Sequence, residues 1–145
     1  MAIIDKKSNQ YKIDRDDSVF IGLKLPLVLD NGELASTKET LEAVKQNLFN
    51  LCSTELGERV MQPNLGLRLK RFLFEPFSEE LVVEVQNTIV ESVNYWLPFV
   101  KVNDIIVKMS EAQSGDYRNL MGVSINFSLK KDPTTHESVQ VTIGE

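Results

Sequence analysis

Glu58 and Glu75 are the residues of this chain best placed for acid–base chemistry. A glycosidase needs one carboxylic acid of raised pKa and one ionised partner, about 5–9.5 Å apart. Glu75 lies between Phe74 and Pro76-Phe77, an apolar setting that would raise its pKa, and Glu58 lies across an irregular connector. The competing reading gives each carboxylate an ionic partner among Arg59, Arg68 and Arg71, which would fix the connector and do no catalysis. That second reading is preferred, because 21 acidic residues in a 145-residue chain supply such pairs by number alone.

Other chemistries lack their parts. The seven glycines stand at 22, 32, 57, 66, 115, 122 and 144, so there is no Gly-x-Gly of a dinucleotide fold and no Gly-Lys-Ser/Thr of a phosphate loop. The single histidine, His136, sits in an Asp132-Pro133-Thr134-Thr135 loop and reads as solvated. One cysteine, Cys52, excludes an internal disulfide and any Cys-based zinc site. No catalytic residue, metal or cofactor is expected.

The bulk composition agrees with a structural or binding role. Hydrophobic residues make up 42% and charged residues 26%, which suits a globular core. A net charge of −5 argues against a nucleic-acid binder. No stretch approaches the about 18 apolar residues of a membrane span, and Met1 to Lys7 do not predict a secretory leader.

The elements follow from periodicity. Residues 1–18 are polar, with an Asp14-Arg15-Asp16-Asp17 cluster, and predict an arm that orders only by docking. Residues 19–145 are expected to form one domain. Leu25-Pro26-Leu27-Val28-Leu29, Asp30-Asn31-Gly32 and Leu34 predict a hairpin, because Asn-Gly accepts the positive φ of a type I′ turn. Ser36 with Glu39 has capping-box spacing, and Leu41, Val44, Leu48, Leu51 and Cys52 then form an amphipathic stripe ending near Ser53-Thr54. A dense connector runs from Glu55 to Phe77, with a short helix carrying Leu69, Phe72 and Leu73. Ser78 caps a second helix whose buried face is Leu81, Val82, Val85, Ile89, Val93 and Trp96, and Pro98 ends it. Three alternating strands follow, around Ile105–Met109, Met121–Leu129 and Val139–Ile143, with a bulge near Asn103-Asp104. The class is α+β: two main helices packed on one face of a small antiparallel sheet, with an N-terminal hairpin or arm.

Two segments predict a binding surface. Ser138, Val139, Gln140, Val141, Thr142 and Ile143 carry no Lys, Arg or Pro, the residues that usually blunt an exposed sheet edge. Tyr95, Trp96, Leu97, Pro98 and Phe99 run through a helix end, where both faces cannot meet one core, so Leu97 and Phe99 are assigned to a partner.

The connector and second helix resemble a known family. Gly57-Glu58-Arg59-Val60-Met61-Gln62-Pro63-Asn64-Leu65-Gly66, then Leu73-Phe74-Glu75, then Ile89-Val90-Glu91-Ser92-Val93-Asn94-Tyr95-Trp96-Leu97-Pro98 look like the signature of the baseplate wedge (sheath-initiator) family of contractile-tailed phages. Relatives occur in contractile bacteriocins and type VI secretion baseplates. In that resemblance Glu58, Arg59, Pro63, Gly66, Phe74 and Glu75 are the structural motif. The family often has Glu-Pro-Arg where this chain has Leu97-Pro98-Phe99; only the proline is kept, so an apolar contact would replace the family's ion pair. The resemblance implies a structural subunit of a virion tail baseplate, assembled in the host bacterial cytoplasm. The implied partners are other baseplate wedge proteins, the tail sheath protein, which would add a strand to the sheet, and tail tube or hub proteins. The alternatives are a lysozyme-like glycosidase of the tail tip, using Glu75 and Glu58, and a tail assembly chaperone absent from the mature particle.

Overall fold

The computed structural model of the chain describes residues 20–24, 27, 29–30, 33–37, 39–110 and 120–144. The arm over 1–18, Pro26, the Asn31-Gly32 turn and the 113–116 loop lie outside the described residues. Backbone contacts divide the chain into two compact units, Met1–Asn47 and Leu48–Glu145.

The first unit is built of short strands. β1 (Gly22–Leu23) pairs antiparallel with β4 (Ser36–Thr37), and β2 (Leu29–Asp30) pairs antiparallel with β3 (Glu33–Leu34), which is the expected hairpin. Ser36 therefore does not open a helix. Its backbone is committed to the pairing of Leu23 with Ser36, and α1 starts later, at Thr40. Tertiary pairing has overridden a local capping signal.

Helix α1 (Thr40–Ser53) buries Val44, Leu48, Leu51 and Cys52, the stripe expected from spacing. Thr54 closes it, its N–H and its Oγ1 both donating to the Asn50 carbonyl at 3.1 and 2.7 Å.

In the second unit a 3₁₀ helix (Leu69–Phe74) buries Leu69, Phe72 and Leu73. Helix α2 (Glu79–Trp96) begins where Ser78 Oγ accepts the Leu81 N–H at 3.2 Å, with Glu79 and Glu80 in the electropositive first turn. Leu81, Val85, Ile89 and Val93, each four residues apart, are buried, whereas Val82 and Trp96 of the expected face are only half-buried, and Leu97 N–H donating to Val93 O ends the helix before Pro98.

β5 (Val100–Ser110), β6 (Leu120–Leu129) and β7 (Asp132–Ile143) form an antiparallel sheet in the order β5-β6-β7. Met121, Val123, Ile125, Phe127 and Leu129 of β6 are buried, as are Val139, Val141 and Ile143 of β7. The register shift between Val102 and Asp104 is the expected bulge, and it returns Ile105 to the buried face. α2 packs along β5. The mixed α+β class follows from these elements.

Candidate functional site

β7 is an edge of the sheet, since among the described residues no strand lies beyond it. Which of its main-chain groups face outward follows from one hydrogen bond. Lys130 N–H donates to Phe99 O at 3.0 Å, just where Val100 stands opposite Leu129. Hydrogen-bonded and non-bonded pairs alternate along an antiparallel ladder. Even-numbered residues of β6 therefore turn their main-chain groups to β5, and odd-numbered ones turn theirs to β7. The bulge leaves this phase intact, because the extra residue, Asn103, belongs to β5. Val139, Val141 and Ile143 stand opposite Ile125, Val123 and Met121 and bond back to β6. Ser138, Gln140 and Thr142 thus point their N–H and C=O groups away from the sheet.

The opposite edge differs. Ile105 stands opposite odd-numbered Ile125, so its carbonyl also points outward, and there Gln86 Nε2 of α2 donates to it at 2.8 Å. Periodicity gave no sign of this brace, since Gln86 falls at the margin of the helix stripe. The β7 edge has no such cover from a described side chain. Pro133 lies in the first part of β7, leaving Ser138–Ile143 as the unblunted stretch.

β7 is longer than the sequence predicts. The residues read as the Asp132–His136 loop belong to the strand, and the ladder is irregular between Ser128 and Leu129. His136 is exposed and its Nδ1 accepts from Asn103 Nδ2 at 3.1 Å; Asn103 also bonds Ser128 Oγ at 3.2 Å. Beside them Asn103, Asp104, Asn126, His136, Glu137 and Ser138 line an open hollow of about 430 Å³.

At the end of α2, Tyr95 is 77% exposed and packs edge-on against half-buried Trp96, with ring centroids 5.0 Å apart. Leu97 is half-buried, Pro98 is exposed and Phe99 is 46% exposed. Val100 N–H donates to Leu97 O, so a tight turn holds Pro98 and Phe99 between helix and sheet.

The connector motif is tied by its own main chain. Gly57 N–H donates to Pro63 O at 2.8 Å, Leu67 N–H to Thr54 O at 2.8 Å, and Glu58 Oε2 accepts the Glu55 N–H at 3.0 Å. Arg59 Nη2 donates to Asn50 Oδ1 at 2.9 Å. Gly66 has φ +122.

Among the described residues, neither Glu58 nor Glu75 forms the expected ion pair with Arg59, Arg68 or Arg71. Arg59 serves Asn50, and Arg71 pairs with Glu84 at 2.8 Å, so Glu58 is held by a backbone N–H instead. The apolar setting read around Glu75 is also absent: Glu75 is exposed, with Phe74 86% and Phe77 58% exposed. Burial pushes the Cys52 thiol up to about 12, leaving it protonated and unreactive at neutral pH. Among the described residues no three His, Cys, Asp or Glu side chains gather to hold a metal ion, and no helix is long and apolar enough to cross a membrane.

One family model, described as Baseplate wedge protein gp25, matches residues 38–134. No curated protein matches the sequence significantly. Three solved structures are similar. A presumed tail lysozyme from Geobacter sulfurreducens shares 18% identity at a TM-score of 0.58, over 74% of this chain and 93% of that one. A chain of the anti-feeding prophage baseplate shares 23% identity at 0.55, over 83% and 81%. A chain of the post-contraction pyocin R2 baseplate shares 20% at 0.47, over 82% and 98%. At these identities the first two likenesses are of fold.

Proposed function

Because this chain belongs to the baseplate wedge protein family, whose members are structural components of tail baseplates, we propose that it binds other wedge subunits and templates the first sheath ring by strand addition at β7. The observation that carries this reading is the outward row of main-chain groups at Ser138, Gln140 and Thr142 on an edge without a described cover. Strand addition draws affinity from such groups, and side chains add selectivity. The opposite edge is less suited, since Gln86 already occupies the Ile105 carbonyl. An image of an assembled tail at side-chain resolution tests the proposal. A sheath strand hydrogen-bonded to Ser138–Thr142 is expected, and a β7 edge facing solvent in the mature tail would overturn it.

The wedge contact is proposed to use Leu97 and Phe99, with Tyr95, Trp96 and Pro98 around them. Fully burying an exposed large apolar side chain contributes about 1.5–3 kcal/mol; Leu97 is half-buried and Phe99 46% exposed in the isolated chain, so the pair can account for roughly tenfold in affinity. The double variant Leu97→Ser/Phe99→Ser is expected to stay folded and soluble yet fail to enter wedges in a co-expression pull-down. Unfolding of the isolated variant would return both residues to the protein's own core.

A further inference from the structure

We infer that Asn103, Ser128 and His136 form a polar staple that sets the register of β7 where it rejoins the sheet, and that Asn103 and His136 are thereby positioning residues for the docking edge at Ser138–Thr142. The main-chain ladder breaks on both sides of β6 at this level. Leu129 stands opposite Asp132 and Ser128 opposite His136, so β7 takes four steps while β6 takes one. On the other side Phe127 stands opposite Val102 and Asn126 opposite Asp104, and β5 carries Asn103 as the extra residue. The turn that joins β6 to β7 therefore does not fix which β7 residue meets Ser128. Hydrophobic alternation fixes it only in part. A one-residue slip would turn Val139, Val141 and Ile143 to solvent, but a two-residue slip keeps them on the buried face.

One side chain spans both breaks. Asn103 Nδ2 donates to Ser128 Oγ at 3.2 Å and to His136 Nδ1 at 3.1 Å, and Ser128 Oγ donates back to Asn103 Oδ1 at 3.3 Å. Ser128 is 1% exposed, so its hydroxyl needs a partner within the protein, and the bulge supplies one. The bond to the imidazole then selects His136 among β7 residues of the same parity. Ser138 is the next residue whose main chain faces outward, so fraying that starts at the irregular stretch reaches the docking edge there first. Ladder ends open at almost no free-energy cost, and a partly ordered site binds in proportion to its ordered fraction. One hydrogen bond of ordinary strength therefore decides whether this end of the edge is mostly formed. This role presupposes strand addition at β7, and it names what prepares that edge.

Hydrogen exchange of the full-length chain tests the staple. His136 is exposed, so its variants keep the core. In His136→Ala the Glu137 and Val139 amides, which face β6, are expected to lose roughly threefold to tenfold in protection, while the Ser124 amide, which faces β5, keeps its own. His136→Asn is expected to restore protection, since its Oδ1 can accept where the imidazole Nδ1 does. Purified baseplate–tube particles titrated with sheath protein test the consequence. The sheath concentration that covers half the tubes is expected to rise by a similar factor for His136→Ala and to return for His136→Asn. Unchanged protection in His136→Ala, or equal protection in the alanine and asparagine variants, would overturn the staple, and an unchanged sheath titration would overturn its positioning role. Proline at Gln140 or Thr142 leaves the staple intact. Loss of sheath there beside a normal titration for His136→Ala marks a failure of the staple, whereas normal sheath there marks a failure of templating.

Discussion

Gly66→Val is expected to lower the melting temperature of the isolated protein by roughly 10–20 °C. Two costs add at this position. The backbone sits at φ +122, a region that a β-branched residue enters only under strain of about 1–3 kcal/mol. A Cβ built there would also stand 2.4 Å from Thr54 O, 2.9 Å from Thr54 C and 3.0 Å from Glu55 C. These are backbone atoms and cannot rotate aside. The Thr54 carbonyl is held by Leu67 N–H, and Thr54 N–H and Oγ1 are held by Asn50 O. Relief would require moving the exit of α1, at a further cost of about 1–3 kcal/mol. Against a total stability of roughly 5–15 kcal/mol the sum is large. Gly57 supplies the control, because its φ is +89 but nothing lies within 4 Å of its Cβ position. Gly57→Ala should show backbone strain alone, about 1 kcal/mol, and Gly66→Ala should cost clearly more. Equal melting temperatures for the two alanine variants would show that the close approach to Thr54 does not matter.

Proline at Gln140 or at Thr142 is expected to give particles with baseplate and tube but no extended sheath. Both residues turn their N–H outward, so proline there removes a donor from the free edge and leaves the β6–β7 ladder its own bonds. The pyrrolidine ring also occupies the space that an added strand must enter. Gln140→Ala and Thr142→Ala change only exposed side chains and should assemble as the parent does. Val141→Pro is the contrasting case: its N–H faces β6 opposite Val123, so it should destabilise the fold itself. Electron microscopy of tails, with circular dichroism of the purified variants, checks all five. Normal sheath on folded Gln140→Pro and Thr142→Pro proteins would remove the templating role from β7.

Much of the architecture was legible in the order of residues. Ser78 and Pro98 bracket α2, the alternation of Met121–Leu129 names the buried face of β6, and the phase change at Asn103 marks the bulge. Each of these signals is local. A cap, a period of 3.6 or 2, or a proline acts on neighbours a few bonds away, so the sequence alone can carry it. Family membership was legible for a related reason, since the connector motif is contiguous.

What lies between distant segments was decided only by the tertiary structure. Ser36 has the spacing of a helix cap, yet pairing with Leu23 makes it a strand. Glu58 and Glu75 look like candidates for ionic partners, yet Asn50 and Glu84 take Arg59 and Arg71. Val60 and Met61 read as part of a motif, and only the closed loop turns both to solvent. That β7 is an edge, and that Ser138, Gln140 and Thr142 face outward on it, depends on strand order and on the phase of a ladder set at Phe99 and Lys130. Alternation of side chains is a property of one strand, but the direction of a main-chain hydrogen bond is fixed only when a second strand takes its register.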